Sequence, residues 1–125
     1  MIFWIYMLIT VLIIPLTMIL FGKMFMNKPP RKINNIFGYR TKRSMMNEDT
    51  WEFAHKCIGK LWFRCGLILL PISVLAMLSM LNQSADMTGT LGGILTFLQM
   101  IPMIGSVIAT EYALKNTFDE HGNRL

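Results

Sequence analysis

Charged residues are scarce in this sequence, at 15% of 125 residues, whereas 54% of the residues are hydrophobic. So small a charged fraction excludes a conventional water-soluble surface, because too few ionised side chains remain to cover a chain of this size. The sequence has no glycine-rich phosphate loop, nucleophile elbow or zinc-protease motif. Its two cysteines, Cys57 and Cys65, lie about 12 Å apart along one predicted helix, too far to form a disulfide with each other.

Long apolar runs are what the sequence does contain. Three of them, residues 2–26, 61–81 and 91–114, carry no charged residue in their central parts. Crossing the hydrocarbon core of a bilayer takes roughly 20 apolar residues in helical form. The sequence therefore predicts an all-α integral membrane protein, a single domain over residues 1–125 with three transmembrane helices.

The basic residues are concentrated in one connection. Ten of the twelve lie between Gly22 and Arg64, after the first apolar run and around the start of the second. The positive-inside rule places such a segment in the cytoplasm. It predicts an amino terminus outside, a cytoplasmic connection over 27–60, an outer loop over 82–90 and a cytoplasmic tail over 115–125. A basic cluster between spans predicts contact with anionic lipid headgroups, and no nucleic-acid partner.

The central connection has its own local signals. The two prolines at 29–30 end the first helix, and Gly38 predicts a turn in which positive φ is allowed. Asn47 is a good N-cap residue. Acidic residues follow it in the first turn, where the helix dipole favours them. We therefore expect an amphipathic interfacial helix to begin here, leading into the second span.

This segment also holds the candidate binding residues. We expect one polar and aromatic surface for a ligand or partner, formed by Gly38, Tyr39, Arg40, Thr41, Asn47, Trp51, His55 and Gly59. The Arg40 guanidinium suits bidentate contact with phosphate or carboxylate, or else ties the connection to a nearby glutamate. Glu52 and His55 form a Glu-x-x-His pair, which can share a metal ion when other helices supply further ligands. No other cofactor is predicted.

Two polar residues fall within or near the third span. Gln99 lies in mid-membrane, where an amide is costly without a partner, and Glu111 lies close to the membrane surface. Gln99 shares a narrow helical sector with small and hydroxyl residues, a pattern that favours close helix packing. The alternative is that Gln99 lines a polar path.

The order of residues in the central segment resembles a known signature. The matching positions are Gly38-Tyr39-Arg40-Thr41, Ser44, Asn47-Glu48, Trp51, His55-Lys56 and Gly59-Lys60. This pattern resembles the SdpI/YfhL family of small bacterial integral membrane proteins, in a minimal single-module form. The family is named for an immunity protein that protects sporulating cells from their own secreted killing peptide, the sporulation-delaying-protein toxin. The resemblance implies a peptide toxin or a regulatory protein as partner, and location in the bacterial cell membrane.

Together these features predict a membrane immunity or stress-type factor that acts by binding, without catalytic residues. Two alternatives stay open. One is a small membrane enzyme or metal-dependent catalyst using Arg40, Asn47, Glu52 and His55. The other is an oligomeric transporter built around the Gln99 face. Three spans enclose little interior, so a homo-oligomer is compatible with each of these functions.

Overall fold

The computed structural model describes residues 1–34 and 36–125, which form three α-helices and their connections. Helix α1 spans Ile2–Asn27, α2 spans Glu48–Leu78 and α3 spans Ala85–Thr117. All three are long and apolar enough to cross a membrane. The described ranges contain no β-strand, which confirms the predicted all-α membrane fold.

Helix α2 begins where its capping signal predicts. The Asn47 side chain accepts a hydrogen bond from the Thr50 backbone nitrogen at 2.8 Å, and the Thr50 hydroxyl accepts one from the Asn47 nitrogen at 3.1 Å. This reciprocal capping box satisfies two amides at the start of the helix. From this start, the residues of the predicted interfacial helix and those of the second span form one continuous helix, without a turn between them.

Helix α3 extends beyond the apolar run that identified it. Ser84 caps the helix, since its hydroxyl accepts a hydrogen bond from the Met87 nitrogen at 3.2 Å, and the helix continues to Thr117. The predicted span, 91–114, covers only the part of this helix with continuous apolar sequence. Helical structure continues past it because a capped polar turn is a good helix start whether or not it lies in lipid.

The end of the bundle opposite the central connection is held by packing between α1 and the end of α2. The Trp4 indole donates a hydrogen bond to the Met77 carbonyl oxygen at 2.8 Å. Beside it, Met7 and Val11 pack against Met77 and Met80 in a buried cluster. The start of α1 therefore lies beside the end of α2, so these two helices run antiparallel.

Glycines bring α1 and α2 into backbone contact further along. A Cβ atom on Gly59 would lie 2.7 Å from the Gly22 carbonyl oxygen and 2.7 Å from the Met26 nitrogen. A Cβ atom on Gly22 would lie 2.6 Å from the Phe63 nitrogen. Small residues at such a crossing let two membrane helices approach closely enough for extensive van der Waals contact. Gly59 thus contributes to helix packing.

Candidate functional site

The connection between α1 and α2 folds back onto the helices instead of standing away from them. The Tyr39 backbone nitrogen donates a hydrogen bond to Nε2 of His55 on α2, at 2.8 Å. The Tyr39 hydroxyl donates to the Val107 carbonyl oxygen on α3, at 3.3 Å. One residue of the connection therefore contacts two different helices, which fixes the connection over one end of the helix bundle.

His55 holds the connection as a neutral imidazole. Its Nε2 accepts from the Tyr39 amide, so the ring proton must reside on Nδ1, which donates to the Trp51 carbonyl oxygen at 2.8 Å. The side chain is completely buried and lies edge-on to Phe25. Protonation of Nε2 would remove the acceptor that holds the Tyr39 amide.

The Glu-x-x-His pair is not brought together. Glu52 is exposed and forms an ion pair with Lys56 at 2.9 Å, while both ring nitrogens of His55 already contact backbone atoms. Across residues 1–34 and 36–125, no group of three or more His, Cys, Asp or Glu side chains is placed to hold a metal ion.

Gly38 lies directly against this histidine. Its φ of 114° is in the region that side chains rarely adopt, and a Cβ atom would lie 2.6 Å from Nε2 of His55 and 3.2 Å from the Trp51 ring. Both the backbone conformation and the space thus require glycine. Gly38, the first residue of the Gly-Tyr-Arg-Thr motif, thus allows the backbone nitrogen of Tyr39, the second, to come within hydrogen-bonding distance of His55.

A compact turn follows, built on Thr41 and Ser44. The Thr41 nitrogen donates to the Ser44 hydroxyl at 2.9 Å, and the Ser44 nitrogen donates to the Thr41 hydroxyl at 3.2 Å. The buried Ser44 hydroxyl also donates toward the Tyr39 carbonyl oxygen at 3.0 Å. On the other side, the Thr50 hydroxyl contacts the Ser44 carbonyl oxygen at 3.1 Å, which joins the turn to the start of α2.

Trp51 and Asn47 attach the outer parts of the site. Trp51 is 1% exposed, and its indole donates to the Pro30 carbonyl oxygen at 2.8 Å, which fixes the segment after α1. Asn47 uses its amide nitrogen to donate to the Gly122 carbonyl oxygen at 2.7 Å. The carboxyl-terminal tail is therefore docked on the beginning of α2. Neither the role of this tail nor that of Ser44 was assigned from the sequence, although Ser44 follows Thr41 at the spacing of a hydroxyl-capped turn.

An open cavity of about 560 Å³ lies beneath the Gly38–Thr41 segment. Aromatic side chains from α1, α2 and the connection line much of it: Phe21, Phe25, Phe37, Tyr39 and Trp62. The Trp62 indole nitrogen is buried and has no hydrogen-bond partner among the described residues. A buried donor left unpaired is costly, so this N–H is available to an acceptor. Arg40 and Thr41 also line the cavity, and Arg40 is exposed.

Glu111 and Tyr39 form the side of the site nearest α3. Burial and the charge of the neighbouring Glu111 raise the pKa of Tyr39, so its phenol stays protonated and able to donate. One carboxylate oxygen of Glu111, Oε2, is buried without a hydrogen-bond partner in the described part of the chain. The sequence placed Glu111 near the membrane surface, and the structure places it beside the Gly-Tyr-Arg-Thr motif.

Gln99 lies apart from this site, at the centre of the helix bundle. Its amide nitrogen donates to the Val11 carbonyl oxygen at 3.0 Å and to the Ser73 hydroxyl at 2.6 Å. The Val11 carbonyl would normally accept from the residue at position 15, but Pro15 has no N–H. Gln99 therefore supplies the hydrogen bond that a proline removes, and joins all three helices. Its Oε1 atom is buried and has no partner among the described residues.

Three apolar helices, with a polar connection folded back over one end, define a multi-pass helical membrane protein. The model of the SdpI/YfhL protein family matches residues 31–110, which include the whole Gly38–Gly59 site. The chain belongs to this family. It is similar to the uncharacterized protein YfhL of Bacillus subtilis (strain 168), at 30% identity over 93 residues, covering 74% of this chain and 71% of the relative. No solved structure matches it.

Proposed function

We propose that this chain is an immunity-type membrane factor that binds a membrane-active peptide at the aromatic cavity under Gly38–Thr41. The observation that carries the proposal is that the first four residues of the family signature, Gly38–Thr41, line this cavity. His55 holds Gly38 and Tyr39 in place at the cavity. The Trp62 indole N–H has no partner among the described residues, so a bound molecule can supply its acceptor. A peptide offers both parts needed, apolar side chains for the aromatic lining and carbonyl oxygens for the indole.

Binding in this proposal involves no bond breaking. Sequestering the peptide removes it from the population able to assemble in the bilayer, and the protein gains stability by mass action as the site fills. A peptide dissolved in the membrane reaches the cavity through lipid.

The first expected result is protection. Expression of this chain in a sensitive bacterium should raise the peptide concentration that kills half of the cells, for at least one member of a panel that includes the sporulation-delaying toxin. Survival curves with equal membrane expression measure this. If no member of the panel is resisted by cells that contain folded protein in their membranes, the immunity proposal fails.

A second expected result concerns Arg40, at the rim of the cavity. Arg40→Lys should lower protection about tenfold, because lysine keeps the charge but loses the planar pair of donors, worth roughly one charge-assisted hydrogen bond. The matched control is Lys42→Arg, an exposed neighbour in the same connection, which should protect normally. Equal protection by both variants, with unchanged melting temperatures, would mean that Arg40 does not contact the peptide.

A third expected result tests the orientation, which we propose has the amino terminus outside. Asn35 lies outside the described residues, so the reporter for the connection is Ile36→Cys, at a position that is 89% exposed. In a background lacking Cys57 and Cys65, an impermeant maleimide should label Asp86→Cys in intact cells but leave Ile36→Cys unlabelled. The reverse pattern would place the connection and its cavity at the outer surface.

A further inference from the structure

A second groove, of about 640 Å³, lies between α2 and α3, and shares no lining residue with the aromatic cavity. Its apolar wall includes Phe53, Cys57 and Leu61 from α2 and Ala109 from α3. Its rim is strongly charged, with four basic and two acidic side chains: Lys56, Lys60, Arg64, Arg124, Asp49 and Glu52. The groove therefore combines an apolar wall with an excess of positive charge.

The acidic residues of the rim are already neutralised. Asp49 accepts two hydrogen bonds from Arg124, at 2.9 and 3.0 Å, and Glu52 pairs with Lys56 at 2.9 Å. Lys60 and Arg64 have no ion pair or hydrogen-bond partner in the described ranges 1–34 and 36–125. They lie one helical turn apart on the exposed side of α2, so one anion can contact both.

The depth of these two cations in the membrane decides which anion suits them. Arg64 lies about 21 Å along α2 from Leu78, where the helix ends, whereas the hydrocarbon core is roughly 30 Å thick. Counted from Leu78, Arg64 is thus roughly 9 Å inside the edge of the hydrocarbon nearer the central connection, and Lys60 roughly 3 Å inside it. Long basic side chains at such depths extend to the headgroups, where an anion stabilises them.

The α3 side of the groove leaves room for an apolar chain. Ala109 is exposed, and a Cβ atom on Gly105, one turn earlier, would meet nothing within 4 Å. Ala109 presents little side-chain volume, and it lines the groove together with Leu61. The groove wall at these two residues is therefore a shallow apolar channel.

We infer that this groove is a binding site for an anionic phospholipid, with its phosphate between Lys60 and Arg64 and one acyl chain along Leu61 and Ala109. The positive rim matches the negative headgroup, and the channel matches the attached hydrocarbon. A soluble anion would satisfy only the first of these features. The site is independent of the peptide cavity, so the lipid and the peptide bind without displacing each other.

Lipid titration by native mass spectrometry of the detergent-solubilised protein tests this inference. Phosphatidylglycerol should bind at least about tenfold more tightly than phosphatidylcholine with the same acyl chains, as expected for one charge-assisted contact. The double variant Lys60→Gln/Arg64→Gln should lose this preference. The control, Lys28→Gln/Lys32→Gln, removes the same charge from exposed positions away from the groove and should keep it.

Two further experiments distinguish binding of a whole phospholipid from binding of its phosphate group alone. Ala109→Phe fills the channel but keeps both cations, and should weaken phosphatidylglycerol binding while leaving the melting temperature unchanged. Inorganic phosphate at millimolar concentration should not displace the lipid. Equal binding of the two lipids, equal losses in both double variants, or displacement by phosphate would each overturn the inference.

Discussion

Gly59→Val is expected to destabilise the protein more than any other single substitution considered for the helix bundle. The added side chain would overlap the Gly22 carbonyl oxygen and the Met26 nitrogen, which lie 2.7 Å from the position of its Cβ. These are backbone atoms of a packed helix, so they cannot move aside as a flexible side chain would. Overpacking costs typically about 1–3 kcal/mol, and we expect a clash with backbone atoms to lie at the upper end of that range. The measurement is the melting temperature of the detergent-solubilised protein.

The matched control is Gly93→Val. Gly93 also lies inside a membrane helix, but a Cβ atom there meets nothing within 4 Å. Both variants gain the same side chain and lose the same backbone freedom, so their difference isolates the contact between α1 and α2. If the Gly59→Val and Gly93→Val proteins have the same melting temperature, α1 and α2 do not approach each other as closely as described.

His55→Ala is expected to release the connection from the bundle. The substitution leaves the Tyr39 amide without its acceptor and creates a cavity beside Phe25 and Trp51. An unsatisfied, partly buried amide and a large-to-small change in a packed site together cost about 3 kcal/mol. Trypsin should then cut at Arg40 or Lys42 much faster than in the unmodified protein, and protection should be lost.

His121→Ala provides the comparison, because His121 is the other histidine of the chain and its side chain is exposed in the tail. It should show normal trypsin resistance and normal protection. Should the connection in His55→Ala stay as resistant as in His121→Ala, the hydrogen bond between His55 and Tyr39 does not hold it in place.

Much of this fold follows from short-range patterns in the sequence. Apolar run length predicts the three helices, and Asn47 identifies the start of α2, because hydropathy and capping depend on residues within one or two turns of each other. The same is true of α3, whose buried residues include Gln99, in the sector expected to pack. Signals local to one helix are sufficient for these predictions.

The details of the site depend on contacts between distant segments. The hydrogen bond between Tyr39 and His55, and the docking of Gly122 on Asn47, join residues far apart in sequence. A spacing of three along a helix placed Glu52 and His55 on one side, yet the ring packed inward while the carboxylate turned to solvent. Spacing specifies which residues share a helical face, but the packing of neighbouring segments decides which atoms of that face are available.

The hydrogen-bond partner of Gln99 also cannot be predicted from the sequence. Pro15 leaves the Val11 carbonyl without its usual donor, but nothing local to α1 indicates which helix supplies a replacement. Only the assembled bundle brings α3 to this carbonyl. Gln99 thus donates a hydrogen bond to a backbone carbonyl of another helix that lacks its usual donor.

Site-specific photocrosslinking tests the central proposal most directly. A photoreactive phenylalanine analogue is placed either at Phe37, in the aromatic cavity, or at Phe97, which is 69% exposed on α3 and does not line that cavity. The probe is a peptide against which the chain protects cells, added to membranes that contain each variant. We predict a covalent adduct with the peptide from position 37 and little from position 97. Equal yields at the two positions, or no adduct from position 37 in a variant that still protects, would contradict a peptide site beneath Gly38–Thr41.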